Sequence, residues 1–279
     1  MLSLLRTFFS PRNPLRLTWH RNKALVAAVL YGFPARKLTV IGITGTDGKT
    51  TTVGMVAHIL HSAEKRVGAL STACFTIDGS IEWNQTQKTS PSPFTIQRFL
   101  RRLVAEGCTH VVIEYSSHGL VQGRTLCTWP SVAAITNTSP EHLDYHGTME
   151  QYRKDKGKLF RMLRGRGTKI LNRDDETYDQ HLSFPSERTL SYSLSDPVAS
   201  QISLRIPGKF NIENALCAIA CAEAIGIPHQ QSLAALRTFT GIPGRMERID
   251  ERQPFAVYVD YAHEKQSITA VLSTGRAMV

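Results

Sequence analysis

The sequence predicts an α/β protein with a mostly parallel sheet and helices on both faces. Two observations lead there. Near-continuous apolar runs rich in β-branched residues recur at Leu38–Ile43, His110–Tyr115, Val132–Thr136 and Thr168–Leu171, which is how strands covered on both faces read. Between and after them lie stretches with apolar positions at helical spacing, and that alternation builds parallel sheets. At 279 residues the chain can bury a sizeable core and hold one large or two small domains.

The elements follow in order. Residues 1–37 form a basic extension, with Arg6, Arg12, Arg16, Arg21, Lys23, Arg36 and Lys37 and no acid. Its apolar stretch, Leu25–Phe33, is far too short to span a bilayer. It reads as a helix packed on the main domain, or as a basic amphipathic segment in peripheral contact with an anionic membrane. The first strand then breaks into Gly45-Thr46-Asp47-Gly48-Lys49-Thr50-Thr51, and a helical pattern over Thr51–Lys65 follows. Gly45 and Gly48 let backbone N–H groups approach phosphate oxygens. The helix presents its positive N-terminal end to the same oxygens. Lys49 adds a mobile charge and Thr50 a hydroxyl for Mg²⁺. Position 43 is Ile, so the strict eight-residue phosphate loop is absent and the shorter Gly45-x-x-Gly48-Lys49-Thr50 form stands. This predicts binding of a nucleoside triphosphate.

Pro93–Glu106 carries one apolar stripe, Ile96, Phe99, Leu100 and Leu103, and is a second helix. The next strand ends in Glu114, a carboxylate placed to face the phosphate loop and hold Mg²⁺. Polar loops follow this strand and the next. They are Ser116–Arg124, and Asn137–His146 with His142 as a metal-ligand candidate. Strand ends are where ligands bind in such sheets. Glu176–Arg205 reads as loops and short strands. Asn211–Ile225 and Gln231–Phe239 read as helices, Phe255–Asp260 as a last strand, and a helix runs from there to the end.

Five scattered cysteines form no disulfide or zinc framework and fit a reducing cytoplasm. Cys217 and Cys221 read as small buried side chains. The net charge of +10 favours anionic ligands. No nucleic-acid motif accompanies it, so no nucleic-acid partner is predicted.

Seven motifs occur in an order that resembles the Mur ligase family. They are Gly45–Thr51, Glu114-x-Ser-Ser-His-Gly-Leu-x-Gln-x-Arg124, Asn137-x-x-x-Glu-His-Leu-Asp-Tyr-His-Gly147, Tyr152-x-x-x-Lys156, Phe210-Asn-x-x-Asn214, Pro243-Gly-Arg-Met-Glu247 and Val259-Asp-Tyr-Ala-His263. The Ser-Ser-His-Gly-Leu-Val-Gln and His-Leu-Asp-Tyr-His-Gly forms are similar to its muramyl-tripeptide synthetase branch. The resemblance implies an ATP-dependent amide ligase that phosphorylates a UDP-muramyl dipeptide carboxylate and lets an amino acid attack the acyl phosphate. It implies that Lys49 holds the terminal phosphates and that Thr50 and Glu114 bind one Mg²⁺. His142 and Lys156 hold a second, with Lys156 carbamylated by CO₂. It places Asn137, Asn211, Asn214 and Arg245 near the nucleotide, with the Asp260–His263 segment reaching toward it. Thr89, Ser90, Ser116, Gln122 and Arg124 fall at the sugar-peptide.

The resemblance divides the chain into the extension at 1–37, an ATP-binding central domain at 38–243 and the start of a C-terminal domain at 244–279. Only the first strand and helix of that last unit are expected here, so a complementing C-terminal domain is an expected partner. Two local departures stand out. Asp47 occupies a position where Asn is common, and an acid near phosphates is unfavourable. Glu264-Lys265 follows His263 where Thr-Pro is usual. Two rivals remain: another amide ligase of the superfamily, such as a polyglutamate-adding enzyme, and a non-catalytic nucleotide-binding subunit.

Overall fold

The computed structural model describes residues 12–278, so Arg6 and the start of the basic extension lie outside the described residues. Its elements are α1 (Pro14–Leu30), β1 (Thr39–Thr44), α2 (Lys49–Ser62), β2 (Val67–Leu70), β3 (Cys74–Ile77), β4 (Ser80–Trp83), α3 (Pro93–Ala105), β5 (His110–Glu114), α4 (Ser117–Gln122), β6 (Val132–Ile135), α5 (Leu143–His146), α6 (Met149–Lys156), α7 (Lys158–Met162), β7 (Thr168–Asn172), α8 (Tyr178–Leu182), β8 (Arg188–Tyr192), α9 (Lys209–Glu223), α10 (His229–Leu236), β9 (Glu247–Ile249), β10 (Val257–Val259) and α11 (Lys265–Arg276).

Eight strands form one sheet in the order β4-β3-β2-β5-β1-β6-β7-β8. The six from β2 to β8 run parallel, and β3 and β4 add an antiparallel edge. The chain leaves β5 on one side of β1 and enters β6 on the other, so the strand order switches at β1. A crevice opens at the carboxyl ends of strands at such a point. The register there sets Ile43 beside Glu114 and Thr44 beside Ile135.

Both sheet faces are covered. On one, Ile41 and Ile43 pack with Val53, Val56, Ile59 and Leu60 of α2 and the small residues of α9, among them Cys217 and Cys221. On the other, Val40, Val111 and Ile113 pack with Ile96, Phe99, Leu100 and Leu103, the whole predicted stripe of α3. Pro93 at the first turn and a Ser92 hydroxyl accepting from the Thr95 amide fix where α3 starts.

Several elements were not visible in the sequence. β2 and the β3–β4 hairpin fall between the two predicted helices, where the apolar pattern is short. β8 falls within the stretch expected to hold short strands, and it pairs in parallel with β7 although its sequence, Arg-Thr-Leu-Ser-Tyr, is polar, because it lies at an edge of the sheet. The C-terminal segment holds two strands, not one. β9 and β10 form an antiparallel ladder outside the main sheet, followed by α11. The helix expected within the basic extension is present, and it packs on α3 and α4 through Ala24, Ala27 and Ala28. None of the described helices is long and apolar enough to cross a membrane.

Candidate active site

A cleft of about 540 Å³ lies at the carboxyl ends of β1, β5 and β6. Its floor is the loop between β1 and α2. Gly45 has φ +147°, and a Cβ there would stand 1.8 Å from the Thr136 hydroxyl. Gly48 has φ +78°, and a Cβ there would stand 2.0 Å from Asn214 Oδ1. Any other residue would therefore suffer both backbone strain and a clash.

Hydrogen bonds from the β6 end hold this loop. The Thr46 amide donates to the Asn137 carbonyl (2.9 Å) and the Asp47 amide to Asn137 Oδ1 (2.9 Å). The Thr136 hydroxyl donates to the Asp47 carbonyl (2.6 Å). Asn137 thus shapes the loop as well as lining the cleft. Thr46 also takes the Ser139 amide (3.0 Å) and lies 3.2 Å from the Tyr152 hydroxyl. Lys49 opens α2, and its Nζ folds back onto the Thr46 carbonyl (2.5 Å). That carbonyl is a weak partner which an incoming phosphate can replace.

Glu114 is 1% exposed, yet it has three donors. The Thr50 hydroxyl (3.0 Å) and the Thr72 amide (2.7 Å) reach Oε2, and the Thr72 hydroxyl (2.9 Å) reaches Oε1. Thr72 and its partner Thr89 (2.9 Å) were not singled out together in the sequence. Nothing in a lone Thr after β2 marks it as a support for a strand-end acid. A hydroxyl and a carboxylate at hydrogen-bond distance form an oxygen pair suited to one hard cation, so Thr50 and Glu114 fit Mg²⁺. Arg245 reaches in from the segment before β9 and donates to the Thr50 hydroxyl (3.3 Å). Its guanidinium also lies 4.7 Å from the ring of Tyr261. On the α9 side, Asn214 takes the Thr52 hydroxyl (3.3 Å) and donates to Asn211 (3.2 Å).

The opposite wall carries Lys156, Glu141 and His142. Lys156 is 1% exposed, with Nζ 4.3 Å from the centre of the Tyr152 ring. Burial, and then the positive charge of Lys49, push its ammonium pKa well below the usual lysine value. Burial alone would raise Glu141, but Lys49, His142 and Lys156 outweigh it and hold its carboxyl below the usual range. His142 sits 3.3 Å from Glu141 and edge-on to His118 at 4.8 Å. Burial first, then the neighbouring His142 and His146, push His118 down to about 4.

Lys156 is held from behind. Its neighbour Asp155 is fully buried and accepts from Arg12 (2.6 Å), His146 Nδ1 (2.7 Å), Gln151 (3.2 Å) and Lys158. His146 Nε2 in turn pairs with the Ser117 hydroxyl (3.0 Å). This hub, unrecognised in the sequence, ties the entry to α1 to α4, α5, α6 and α7.

Most of the expected site residues meet in the cleft: Gly45 to Thr51, Thr89, Glu114, Ser116, Asn137, His142, Lys156, Asn211, Asn214 and Arg245 all line it. Ser90, Gln122 and Arg124 do not. Ser90 and Gln122 are buried, and Arg124 spends its hydrogen bonds on the Gln122 side chain (2.7 Å) and the Ser90 carbonyl (2.8 Å). The Ser90 hydroxyl also takes the Ser116 amide (3.1 Å), so the trio braces Ser116 from outside the cleft.

Comparison with known proteins agrees with this geometry. The family profile described as the Mur ligase middle domain matches residues 43–222. The UDP-N-acetylmuramyl-tripeptide synthetase of Roseiflexus sp. (strain RS-1) is 36% identical over 277 residues, covering 86% of this chain and 54% of that protein. The UDP-N-acetylmuramoyl-L-alanyl-D-glutamate–2,6-diaminopimelate ligase of Thermosynechococcus vestitus (strain NIES-2133 / IAM M-273 / BP-1) is 37% identical over 281 residues, covering 91% of this chain and 56% of that protein. A solved structure of a ligase with the latter name superposes with a TM-score of 0.71 at 29% identity, covering 86% of this chain and 54% of that one. The chain thus spans about half the length of the curated relatives it matches. On this profile match and these identities, the chain belongs to the Mur ligase family.

Proposed function

We propose that this chain is the ATP-binding and catalytic core of a ligase that joins an amino acid to a UDP-muramyl dipeptide. The strongest support is the cleft itself, where a phosphate loop, a cation-binding oxygen pair and a fully buried lysine face one another. The relatives at 36% and 37% identity carry names of the tripeptide-forming branch, which sets this substrate class ahead of the superfamily's other amide ligases.

A carboxylate is a poor electrophile at neutral pH. Phosphorylation by ATP gives it a leaving group, and the amine then displaces phosphate. The loop amides and Lys49 hold the β- and γ-phosphates, while Asn137, Asn211 and Asn214 border the nucleotide. Thr50 and Glu114 would hold a Mg²⁺ ion, which would offset phosphate charge. Arg245 supplies a further positive charge at the same oxygens. Thr89 and Ser116, braced by Ser90, Gln122 and Arg124, meet the sugar-peptide.

Lys156 is the residue whose chemistry needs most explanation. An ammonium beside Lys49 and a metal would repel both. Its depressed pKa leaves more of the neutral amine, which adds to CO₂ with loss of a proton to give a carbamate anion. That anion and His142 would be the ligands of a second Mg²⁺. We assign residues 38–243 to the ATP-binding unit and 244–279 to the start of an acceptor unit. Phe255, Ile268 and Leu272 of that last segment are exposed, and further polypeptide covering them would complete it.

The test is incubation of the purified chain with Mg-ATP, UDP-muramyl dipeptide and a panel of amino acids, alone and with a relative's C-terminal domain added. Acceptor-dependent phosphate release and a tripeptide-mass product are expected. ATP binding without product in either arm would support the non-catalytic subunit instead.

A further inference from the structure

Helix α1 has two apolar faces, and only one is used. Its alanines, Ala24, Ala27 and Ala28, are fully buried against the body of the protein. Its large apolar side chains point the other way. Leu15 is 72% exposed, Trp19 63%, Val26 52%, Val29 59% and Leu30 69%. At about 100° per residue these five fall within an arc of about 100°, centred opposite the alanine face. Single exposed apolar residues are ordinary, but a continuous stripe with a tryptophan marks a contact surface.

The charges beside the stripe choose the partner. Arg16 and Lys23 lie along one flank, and Arg21 lies near the opposite flank. Seven of the chain's 33 lysines and arginines fall in residues 1–37, which contain no acid. A basic helix that exposes tryptophan and leucine matches an anionic lipid surface in both charge and polarity. A protein partner with an apolar groove would not call for this acid-free flank.

The helix is also rigidly seated. Arg12, just before its start, pairs with the buried Asp155 at 2.6 Å, and Arg21 lies against Gly123 after α4. The stripe is therefore presented by a helix already formed, with no folding cost on contact.

We propose that the exposed face of α1 docks this protein on an anionic bilayer surface, lying in the interface without crossing it. The proposal stands on α1 alone and is independent of the ligase reading.

The test uses the full chain with vesicles of phosphatidylcholine, with and without phosphatidylglycerol, followed by co-sedimentation. A Trp83→Phe background makes Trp19 the emission reporter, with half-buried Trp129 as a constant signal. Binding to the anionic vesicles, a blue shift of Trp19 emission and weakening by salt are expected. Arg16→Gln with Lys23→Gln should lower vesicle affinity about 30-fold. Trp19→Ser with Leu30→Ser should lower it at least about 10-fold. Both variants should keep wild-type ATP binding and melting temperature. Equal binding to neutral and anionic vesicles, or wild-type binding by the serine variant, would overturn the proposal. So would a dimer in light scattering that the serine substitutions disperse, without vesicle binding by either form.

Discussion

Asp155→Asn is the substitution whose effect follows most directly from the structure. The carboxylate is buried among Arg12, His146, Lys158 and Gln151. Burial alone would raise its pKa. The hydrogen bonds from His146, Arg12 and Lys158 overcome that and hold the carboxyl well below the ordinary range. Removing one partner of a buried ion pair costs about 3–5 kcal/mol. Arg12 and Lys158 keep 28% of their side chains exposed and can turn to water, which reduces the cost to about 2–3 kcal/mol. For a chain of this size that is a fall in melting temperature of about 3–5 °C. Thermal unfolding of wild type, Asp155→Asn, Arg12→Gln and the double variant measures it, and the pair should couple by about 1 kcal/mol or more. The pH dependence has a definite sign. A depressed carboxyl contributes stability above its unfolded pKa of about 3.9 and loses it as pH falls toward the folded value. The gap between wild type and Asp155→Asn should therefore be equal at pH 7 and pH 5 and shrink only below about pH 4. A fall under about 2 °C, or full additivity with Arg12→Gln, would refute the hub.

Lys156→Ala should lower ligation about 100- to 1,000-fold, and added formate or acetate should restore part of it by standing in for the carbamate. Unchanged turnover by the alanine variant would exclude the carbamate. Gly48→Ala should weaken ATP binding at least about 10-fold, because φ +78° costs about 1–2 kcal/mol for alanine and the methyl meets Asn214; isothermal titration reads this directly. Glu114→Gln should cut Mg²⁺ dependence about 10- to 100-fold while leaving metal-free nucleotide binding within about 3-fold. Equal loss with and without Mg²⁺ would move Glu114 from metal binding to structural support of Thr72.

The sequence revealed those parts of the fold whose physics is local. The loop from Gly45 to Thr51 is legible because its positive φ values and close packing demand glycine at fixed places. The α3 stripe is legible because burial on one face of a helix imposes its period. The β3–β4 hairpin was not, since outer strands need little apolar content and leave no pattern. The Asp155 hub was invisible for another reason. Arg12 and Asp155 are 143 residues apart, and nothing in a solvated-looking Lys-Asp-Lys run announces a fully buried acid. Arg124 follows the short helix α4, and its guanidinium donates to Gln122 and to the Ser90 carbonyl, a pairing that sequence spacing does not announce.

Asp47 links the sequence puzzle to the site's electrostatics. An acid in a phosphate loop is unfavourable if its side chain must face the anion. Here the structural work of position 47 is done by the backbone, whose amide and carbonyl are both taken by the β6 end. The side chain is free of that duty. Burial raises its carboxyl pKa, against the opposing pull of Lys49. Protonation is thereby less costly than at an exposed site, and a nearby phosphate would raise the pKa further. Asp47→Asn should then keep the loop's geometry and tighten ATP binding, most at high pH, where the wild-type carboxyl is fully charged. Weaker binding by the Asn variant at pH 8 would mean that the carboxylate itself holds part of the ligand's cation.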